Sequence, residues 1–219
     1  YSGANTASFD NISSAVTQST SKERDDNIKH YRPVELLRSL LKNDSFREEF
    51  ILSLCDMRNI YFEPKLATRT LNTMAEPYLS LMPDTWKRFG PDWVAGGDPA
   101  GHIDSKITDL RNFMAKRYTA MPNLIKSAFD LGPIKKLNLG INDQSMGTIL
   151  VNGRQPDYSF AFSGMYFEET TVTLTAVPAD GYKFVRWEVT NGSLADTTSE
   201  TIRFNMSEGM TINAVFEAN

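Results

Sequence analysis

Cysteine, histidine and long apolar runs are scarce in this sequence. The single cysteine among 219 residues, Cys55, lies in an apolar helical pattern and is interpreted as a buried packing residue. It cannot form a disulfide within the chain, and this scarcity by itself favours a reducing compartment. No stretch approaches the ~18 apolar residues of a membrane-spanning helix, and no signal peptide is visible. The two histidines, His30 and His102, lack the sequence spacing of zinc ligands.

An excess of positive charge is also missing. The formal net charge is −4, with 17 Lys+Arg and 17 Asp+Glu in residues 1–132 against 6 and 10 in residues 133–219. Binding to a nucleic-acid backbone requires a basic face. Neither part of the chain has one, so we exclude nucleic acid as a partner.

The sequence contains no recognisable cluster of catalytic or metal-binding residues. Phosphoryl transfer needs a Lys or Arg clamp, a carboxylate-held metal and a positioned base, and no predicted strand is followed by such a set. Asp25 and Asp26 lie in a polar segment and are interpreted as solvated. Glu48 and Glu49 are neighbours on a predicted helix, where adjacent side chains diverge by ~100°. We therefore predict no catalytic, metal-binding or cofactor-binding residues within this chain.

The first 132 residues have the pattern of a helical region. A polar segment rich in Ser, Thr and Asn comes first, and apolar residues then recur at helical spacing. A break is predicted at Met121-Pro122, because proline cannot donate a helical hydrogen bond. The stripes predicted to face inward are Phe46, Phe50, Leu54, Met57 and Tyr61, then Leu66, Leu71, Met74 and Tyr78, then Ile107, Leu110, Phe113, Met114 and Tyr118.

Two helix starts can be predicted from capping residues. Ser45 and Glu48 have the spacing of a capping box, and Asp44 competes for the cap position. Asp104 or Ser105 is predicted to cap a later helix, after a glycine-rich loop.

The apolar period changes from 3.6 to 2 after Pro133, which predicts strands. Asp180-Gly181 is a hairpin signal, and a bulge is predicted near Val185-Arg186 because the apolar residues on either side are out of phase. The alternating residues are Leu137, Leu139 and Ile141, then Ile149 and Val151, then Val172, Leu174 and Ala176, then Ile202, Phe204 and Met206, then Ile212, Ala214 and Phe216. We predict an α+β fold, with a helical domain over 1–132 and a β-rich domain over 133–219.

The strand region carries a motif that spans about 70 residues. It begins with Gly-Thr-Ile-Leu-Val-Asn-Gly at 147–153, continues with Pro178, Gly181, Tyr182, Phe184 and Trp187, and ends with Thr201, Ile202, Phe204, Met206, Ala214 and Phe216. This motif resembles the bacterial extracellular repeats of the internalin B-repeat type. The resemblance implies a small β-grasp-like spacer or adhesion module of secreted or wall-attached Gram-positive proteins, without catalysis. It therefore implies a secreted or cell-surface location, against the weak indication from cysteine.

The helical region resembles the C-terminal portion of the CotH (spore coat protein H) kinase family. The matching segments are 35–43, 46–51, 59–62, 86–89 and 110–113, with Arg117. In that family the catalytic and metal-binding aspartates and the ATP-binding elements precede such helices. The resemblance implies that the parent protein uses ATP and a divalent cation, and that this chain begins after those elements and is itself inactive.

Two functions are consistent with these features. In the first, the chain is the non-catalytic part of a secreted CotH-like kinase, and its partner is the missing N-terminal kinase core. An exposed apolar patch is then expected on the helical part. In the second, the chain is a binding module for carbohydrate, such as cell-wall polysaccharide, or for protein. Aromatic side chains that could stack on sugar rings are Trp86, Trp93, Tyr182 and Trp187, although Trp187 is interpreted first as a core residue.

Overall fold

A computed structural model describes residues 6–16, 32–90, 97–159, 161–206 and 208–219. They form two compact units. The helical unit consists of Tyr1–Phe9 and Phe62–Ala120, and the sheet unit consists of Asp10–Tyr61 and Met121–Asn219. The predicted α+β class is confirmed, with helices in the first 130 residues or so and strands after them. The predicted domains 1–132 and 133–219 stay a prediction.

The described part of the sheet unit begins with three helices, α1 (Asn11–Val16), α2 (Arg32–Leu40) and α3 (Asp44–Asp56). A π-helix (Met57–Tyr61) follows α3 without a break. The predicted cap of α3 is wrong: Asn43 is the N-cap, and its Oδ1 accepts a hydrogen bond from the Phe46 N–H at 3.0 Å.

The inward face of α3 also differs from the prediction. The most buried side chains are those of Ile51, Leu52, Cys55 and Asp56, whereas Tyr61 is 54% exposed. The burial predicted for Cys55 is confirmed. Phe50, Leu54 and Met57 of the predicted stripe are only partly buried, and both strand residues and Phe129 from a later helix pack against this part of the chain.

The helical unit contains a 3₁₀ helix (Thr6–Ser8), α4 (Pro64–Leu79) and α5 (Met82–Phe89). It also contains the first part of α6 (Pro99–Phe129), and the division between the units falls within this helix, after Ala120.

The sequence prediction for α6 is wrong at both the start and the middle. The helix begins at Pro99, and the Asp98 Oδ1 accepts a hydrogen bond from the Gly101 N–H at 3.0 Å, so neither Asp104 nor Ser105 is the cap. Pro122 lies inside the helix and does not end it. A proline removes a single helical hydrogen bond, and buried residues on the following turns hold the helix; these are Ile125, Ala128 and Phe129.

The described residues include seven strands, which form two sheets. The strands are β1 (Ile134–Ile141), β2 (Gly147–Val151), β3 (Phe162–Phe167), β4 (Thr171–Pro178), β5 (Tyr182–Asn191), β6 (Thr201–Asn205) and β7 (Met210–Ala218). One sheet has the order β3-β1-β7-β5, in which only the β1–β7 pair is parallel, and the other is the antiparallel sheet β2-β4-β6.

Strand register follows the alternation in the sequence. The residues predicted to face inward on β2, β4 and β7 are buried, and the predicted bulge in β5 is confirmed by a register shift between Phe184 and Arg186. Strand β3 was not predicted. Its alternating Phe162 and Tyr166 are both buried, and this pattern is the signal that could have identified it.

A continuous apolar core lies within the sheet unit. Side chains from both sheets meet there, and Leu137, Ile149, Leu174 and Ile212 have no exposed surface. Residues of α3 and of the end of α6 belong to the same core. The β-rich region and the helices before it therefore share their buried surface.

Candidate functional site

A buried carboxylate joins α3 to the two sheets. Asp56, the last residue of α3, has no exposed surface. Its Oδ1 accepts hydrogen bonds from the Tyr166 hydroxyl at 2.8 Å and from Asn152 Nδ2 at 3.0 Å. Its Oδ2 forms an ion pair with Arg154 Nη1 at 3.0 Å. We call Asp56, Asn152, Arg154 and Tyr166 the Asp56 junction.

Burial determines the electrostatics of this junction. Desolvation raises the pKa of Asp56 to about 6, although the hydrogen bonds from Tyr166 and Asn152 and the charge of Arg154 act in the opposite direction. Burial, followed by the Asp56 charge, raises the pKa of Tyr166 well above its usual value, so its hydroxyl remains a donor. Burial also raises the pKa of the Cys55 thiol beside it, which disfavours the reactive thiolate.

Local backbone geometry places Asn152 beside Asp56. Asn152 follows β2 and has a φ of +50°, a left-handed conformation that asparagine tolerates better than most residues. Its own amide is fully used, because Oδ1 accepts a hydrogen bond from the Thr173 N–H at 2.9 Å while Nδ2 contacts Asp56. Thus the asparagine of the Val151-Asn152-Gly153 motif ties the strand region to α3.

The π-helix makes a second connection, at the edge of a sheet. Asn59 Nδ2 donates to the Met165 carbonyl at 3.0 Å, and Asn59 Oδ1 accepts from the Met165 N–H at 3.0 Å. Because β3 is the outer strand of its sheet, this amide pairs with backbone groups that would otherwise be unpaired at the edge. Arg58 Nη1 donates to the same Oδ1 at 2.9 Å and supports the orientation of the amide.

A third connection involves the glutamate that was predicted to form a capping box. Glu48 Oε1 accepts a hydrogen bond from the Thr171 N–H at 2.8 Å, at the start of β4. Arg47 on the same turn donates to the Phe129 carbonyl, and its guanidinium lies over the Phe129 ring. The side chain of Glu48 is therefore engaged with a strand and not with the helix start.

The partners of Asp56 surround both of its carboxylate oxygens and leave no position at which a metal ion could bind them. The groups around Asp56 are hydrogen-bond donors, which suit a carboxylate and would repel a metal cation. Among the residues that the structure describes, no three His, Cys, Asp or Glu side chains lie together in a way that could hold a metal ion. The described residues therefore do not fit the divalent cation that the CotH resemblance implies for the parent protein.

The three described aromatic candidates for sugar contact are divided between the two units. Trp86 lies in α5 of the helical unit, half-buried, with its ring 4.9 Å from that of His102. Trp93 lies outside the described residues. Tyr182 begins β5 and is half-buried, while Trp187 on the same strand is 2% exposed and donates from Nε1 to the Ser199 carbonyl at 2.9 Å. Stacking by these residues stays a prediction. His30, Asp25 and Asp26 also lie outside the described part of the chain.

Exposed apolar side chains are concentrated in the helical unit. Nine of the thirteen large hydrophobic side chains that are exposed among the described residues belong to it. Met74, Tyr78, Leu110 and Phe113 were predicted to face inward, and that prediction is wrong because they are 67%, 63%, 45% and 37% exposed. The others in this unit are Phe9, Phe62, Leu79, Leu81 and Phe89.

Sequence reasoning missed the residues that connect the helices to the strands. Asp56 and Arg58 were not singled out, and Asn59 was noted only as part of the matching segment 59–62, although all three are polar residues within a mainly apolar segment, from Ile51 to Phe62. Such residues are buried only when hydrogen-bonded, so their position in the sequence was an available signal. Tyr166 was missed with β3.

No described helix combines the length and apolar character required to cross a membrane.

Comparison with known families agrees with this arrangement. Residues 138–219 match the divergent InlB B-repeat domain, and residues 5–121 match the family described as CotH kinase protein. The two matches follow the order that the resemblances predicted. No curated protein and no solved structure matches the chain. Because the second match covers more than half of the 219 residues, the chain belongs to the CotH kinase protein family.

Proposed function

We propose that this chain is a non-catalytic part of a secreted, multimodular CotH-like kinase of the Gram-positive type. Its helices complete a kinase lobe, and its repeat is a surface spacer or adhesion module. ATP and the divalent cation are bound by other residues of the parent protein. The location is secreted or at the cell surface, as expected for a protein that carries an InlB-type repeat.

The uncovered helical residues are the main support for the role in completing a lobe. Met74 and Tyr78 are one helical turn apart on α4, and Leu110 and Phe113 are one turn apart on α6, so each pair lies on one face. All four are exposed, at 37% or more. A soluble protein rarely leaves many large apolar groups uncovered unless another surface packs on them. We assign the kinase core of the same protein as that surface.

The Asp56 junction and the contacts of Asn59 support a repeat that is rigidly attached to the helices before it. Asp56 and Asn59 belong to the segment that matches the CotH family, and their partners Asn152, Met165 and Tyr166 belong to the repeat. Direct hydrogen bonds and a shared core resist hinge motion between these segments. The repeat would therefore hold this part of the kinase in a defined orientation.

Dye binding and self-association of the purified chain test the exposed apolar face. We expect 8-anilinonaphthalene-1-sulfonate to bind, and the double variant Met74→Gln/Tyr78→Gln to lose much of that fluorescence. Val177→Thr, at an exposed position of β4, is the matched control and should change little. A chain that stays monomeric and binds no dye would contradict the proposed role in completing a lobe.

A phosphorylation assay tests the non-catalytic role separately. The chain is incubated with radiolabelled ATP and Mg²⁺ or Mn²⁺, and we expect no transfer to itself or to added protein. Transfer that persists after further purification would overturn this part of the proposal.

A further inference from the structure

A cavity opens on the sheet unit beside the start of β2. Its volume is about 460 Å³, and it lies between the β1–β2 turn and the loop after β2. Its polar lining comprises Gln144, Thr148, Gln155, Asp157, Tyr158 and Ser159. This volume is within the range of small-molecule sites, about 300–1,000 Å³.

Hydrogen bonds hold the walls of this cavity in place. Gln144 Nε2 donates to the Tyr158 carbonyl at 2.8 Å, which links the turn to the loop. The Tyr158 hydroxyl donates to the Ile149 carbonyl at 3.0 Å, which links the loop to β2. Asp157 Oδ1 accepts from the Ser159 N–H at 2.9 Å and from its hydroxyl at 2.6 Å. Because the walls are already ordered, little entropy would be lost when a ligand binds.

The chemistry of the lining selects a class of ligand. No lining residue is Lys, Arg or His, so the cavity offers no cation to bind a phosphate or carboxylate. Most of its polar groups are neutral amides and hydroxyls, which can both donate and accept. The half-buried side chains of Ile141 and Tyr158 add apolar surface.

We propose that this cavity binds one neutral sugar unit, such as a hexose or N-acetylhexosamine of a surface polysaccharide. Sugar hydroxyls donate and accept hydrogen bonds, which suits the amides of Gln144 and Gln155 and the carboxylate of Asp157, while an apolar face of the sugar ring can pack on the half-buried ring of Tyr158. A protonated amine fits less well, because the lining offers it one charged partner, Asp157, among neutral amides and hydroxyls. This site uses none of the four aromatic candidates and does not depend on the proposed role in a kinase.

Titration of the full-length ¹⁵N-labelled chain tests the proposal. Glucose, galactose, mannose, N-acetylglucosamine, glucuronate and lysine amide are each added up to tens of millimolar, and amide shifts are recorded. We expect saturable shifts with at least one neutral sugar, centred on residues 144–159. Gln155→Ala, which removes an exposed lining amide, should weaken binding about tenfold, equivalent to about 1.4 kcal/mol.

Asp157→Asn has a matched control elsewhere in the chain. Asp196 accepts from the Thr198 N–H at 2.8 Å in a turn with the same Asp-x-Ser/Thr pattern, and it does not line the cavity. Asp157→Asn should weaken binding and Asp196→Asn should not. The proposal is overturned if no neutral sugar gives saturable shifts at the cavity, if glucuronate or lysine amide binds more tightly, or if Asp196→Asn weakens binding as much as Asp157→Asn.

Discussion

The sheet unit and the helical unit differ in how completely they cover their apolar residues. In the sheet unit the inward face of each central strand is buried, and the buried carboxylate of Asp56 is fully hydrogen-bonded. In the helical unit Met74, Tyr78 and Phe89 are more than 60% exposed. Helical amphipathicity creates an apolar face, but a face is buried only where another surface meets it. The difference shows which unit covers its apolar residues by itself and which leaves large apolar side chains exposed.

The strongest test of this comparison uses the same substitution in both units. Phe216→Ala should destabilise the sheet unit by about 3–5 kcal/mol, because Phe216 is 2% exposed and a cavity would remain. Phe89→Ala should change stability by no more than about 0.5 kcal/mol, because Phe89 is 77% exposed. Urea denaturation followed by circular dichroism measures both. Equal losses would mean that Phe89 is covered in solution.

The second prediction concerns the pH dependence of the Asp56 junction. The folded pKa of Asp56 is about 6, against 3.8 for an unperturbed group, so the folded state favours the protonated form. The contribution of Asp56 to stability is therefore greatest below about pH 4, falls as pH rises, and levels off above about pH 6, a change of about 2–3 kcal/mol. The neighbouring charges that act on it are Arg154 and Glu49.

Comparison with Asp56→Asn isolates this change, since the variant cannot titrate there. Urea denaturation from pH 4 to pH 8 should show the wild type losing stability relative to Asp56→Asn by about 2–3 kcal/mol. Val177→Thr, which changes no titratable group at an exposed position, should show a nearly constant difference from the wild type. If the Asp56→Asn curve stays parallel to that of the wild type, Asp56 is not buried as described.

The third prediction tests the connection at the edge of β3. Asn59→Leu leaves the Met165 N–H and carbonyl without their partner and should cost about 2 kcal/mol. The control is Asn72→Leu on α4, where Oδ1 accepts from Arg111 on an exposed surface. That change should cost no more than about 0.5 kcal/mol. Hydrogen exchange of the Met165 amide provides a direct measurement, and unchanged protection in Asn59→Leu would contradict the pairing.

The smallest predicted effect concerns the helix caps. Asn43→Ala should cost about 1 kcal/mol, since the Phe46 N–H loses its acceptor at the start of α3. Lys42→Ala, at the exposed neighbouring position, serves as a control and should be close to neutral. Thermal unfolding of both variants provides the measurement. Equal melting temperatures for the two variants would show that the cap contributes nothing.

Sequence patterns predicted the strands better than the helices. Alternation identified the inward residues of β2, β4 and β7 and the bulge of β5, because on a strand the side-chain period directly assigns the face. It missed β3, where Gly164 interrupts the apolar pattern. On α4 the helical spacing wrongly placed Met74 inward. Helical spacing shows that a face is apolar, but it does not show that another surface covers that face.

The candidate sites were less accessible to sequence reasoning. Asp56 is separated from Asn152 and Tyr166 by 96 and 110 positions in the chain. No local pattern connects residues so far apart. The cavity beside β2 likewise depends on a hydrogen bond between Gln144 and Tyr158, from two different loops.

By itself the sequence determined the α+β class, the change from helices to strands near Pro133, and both family resemblances. These depend on local spacing and on motifs, which short stretches of chain carry completely. Only the tertiary structure decided that Asp56 and Asn59 tie α3 and the π-helix to the repeat, and that the apolar faces of α4 and α6 remain uncovered. Burial depends on which distant surfaces meet, and that is a property of the folded chain as a whole.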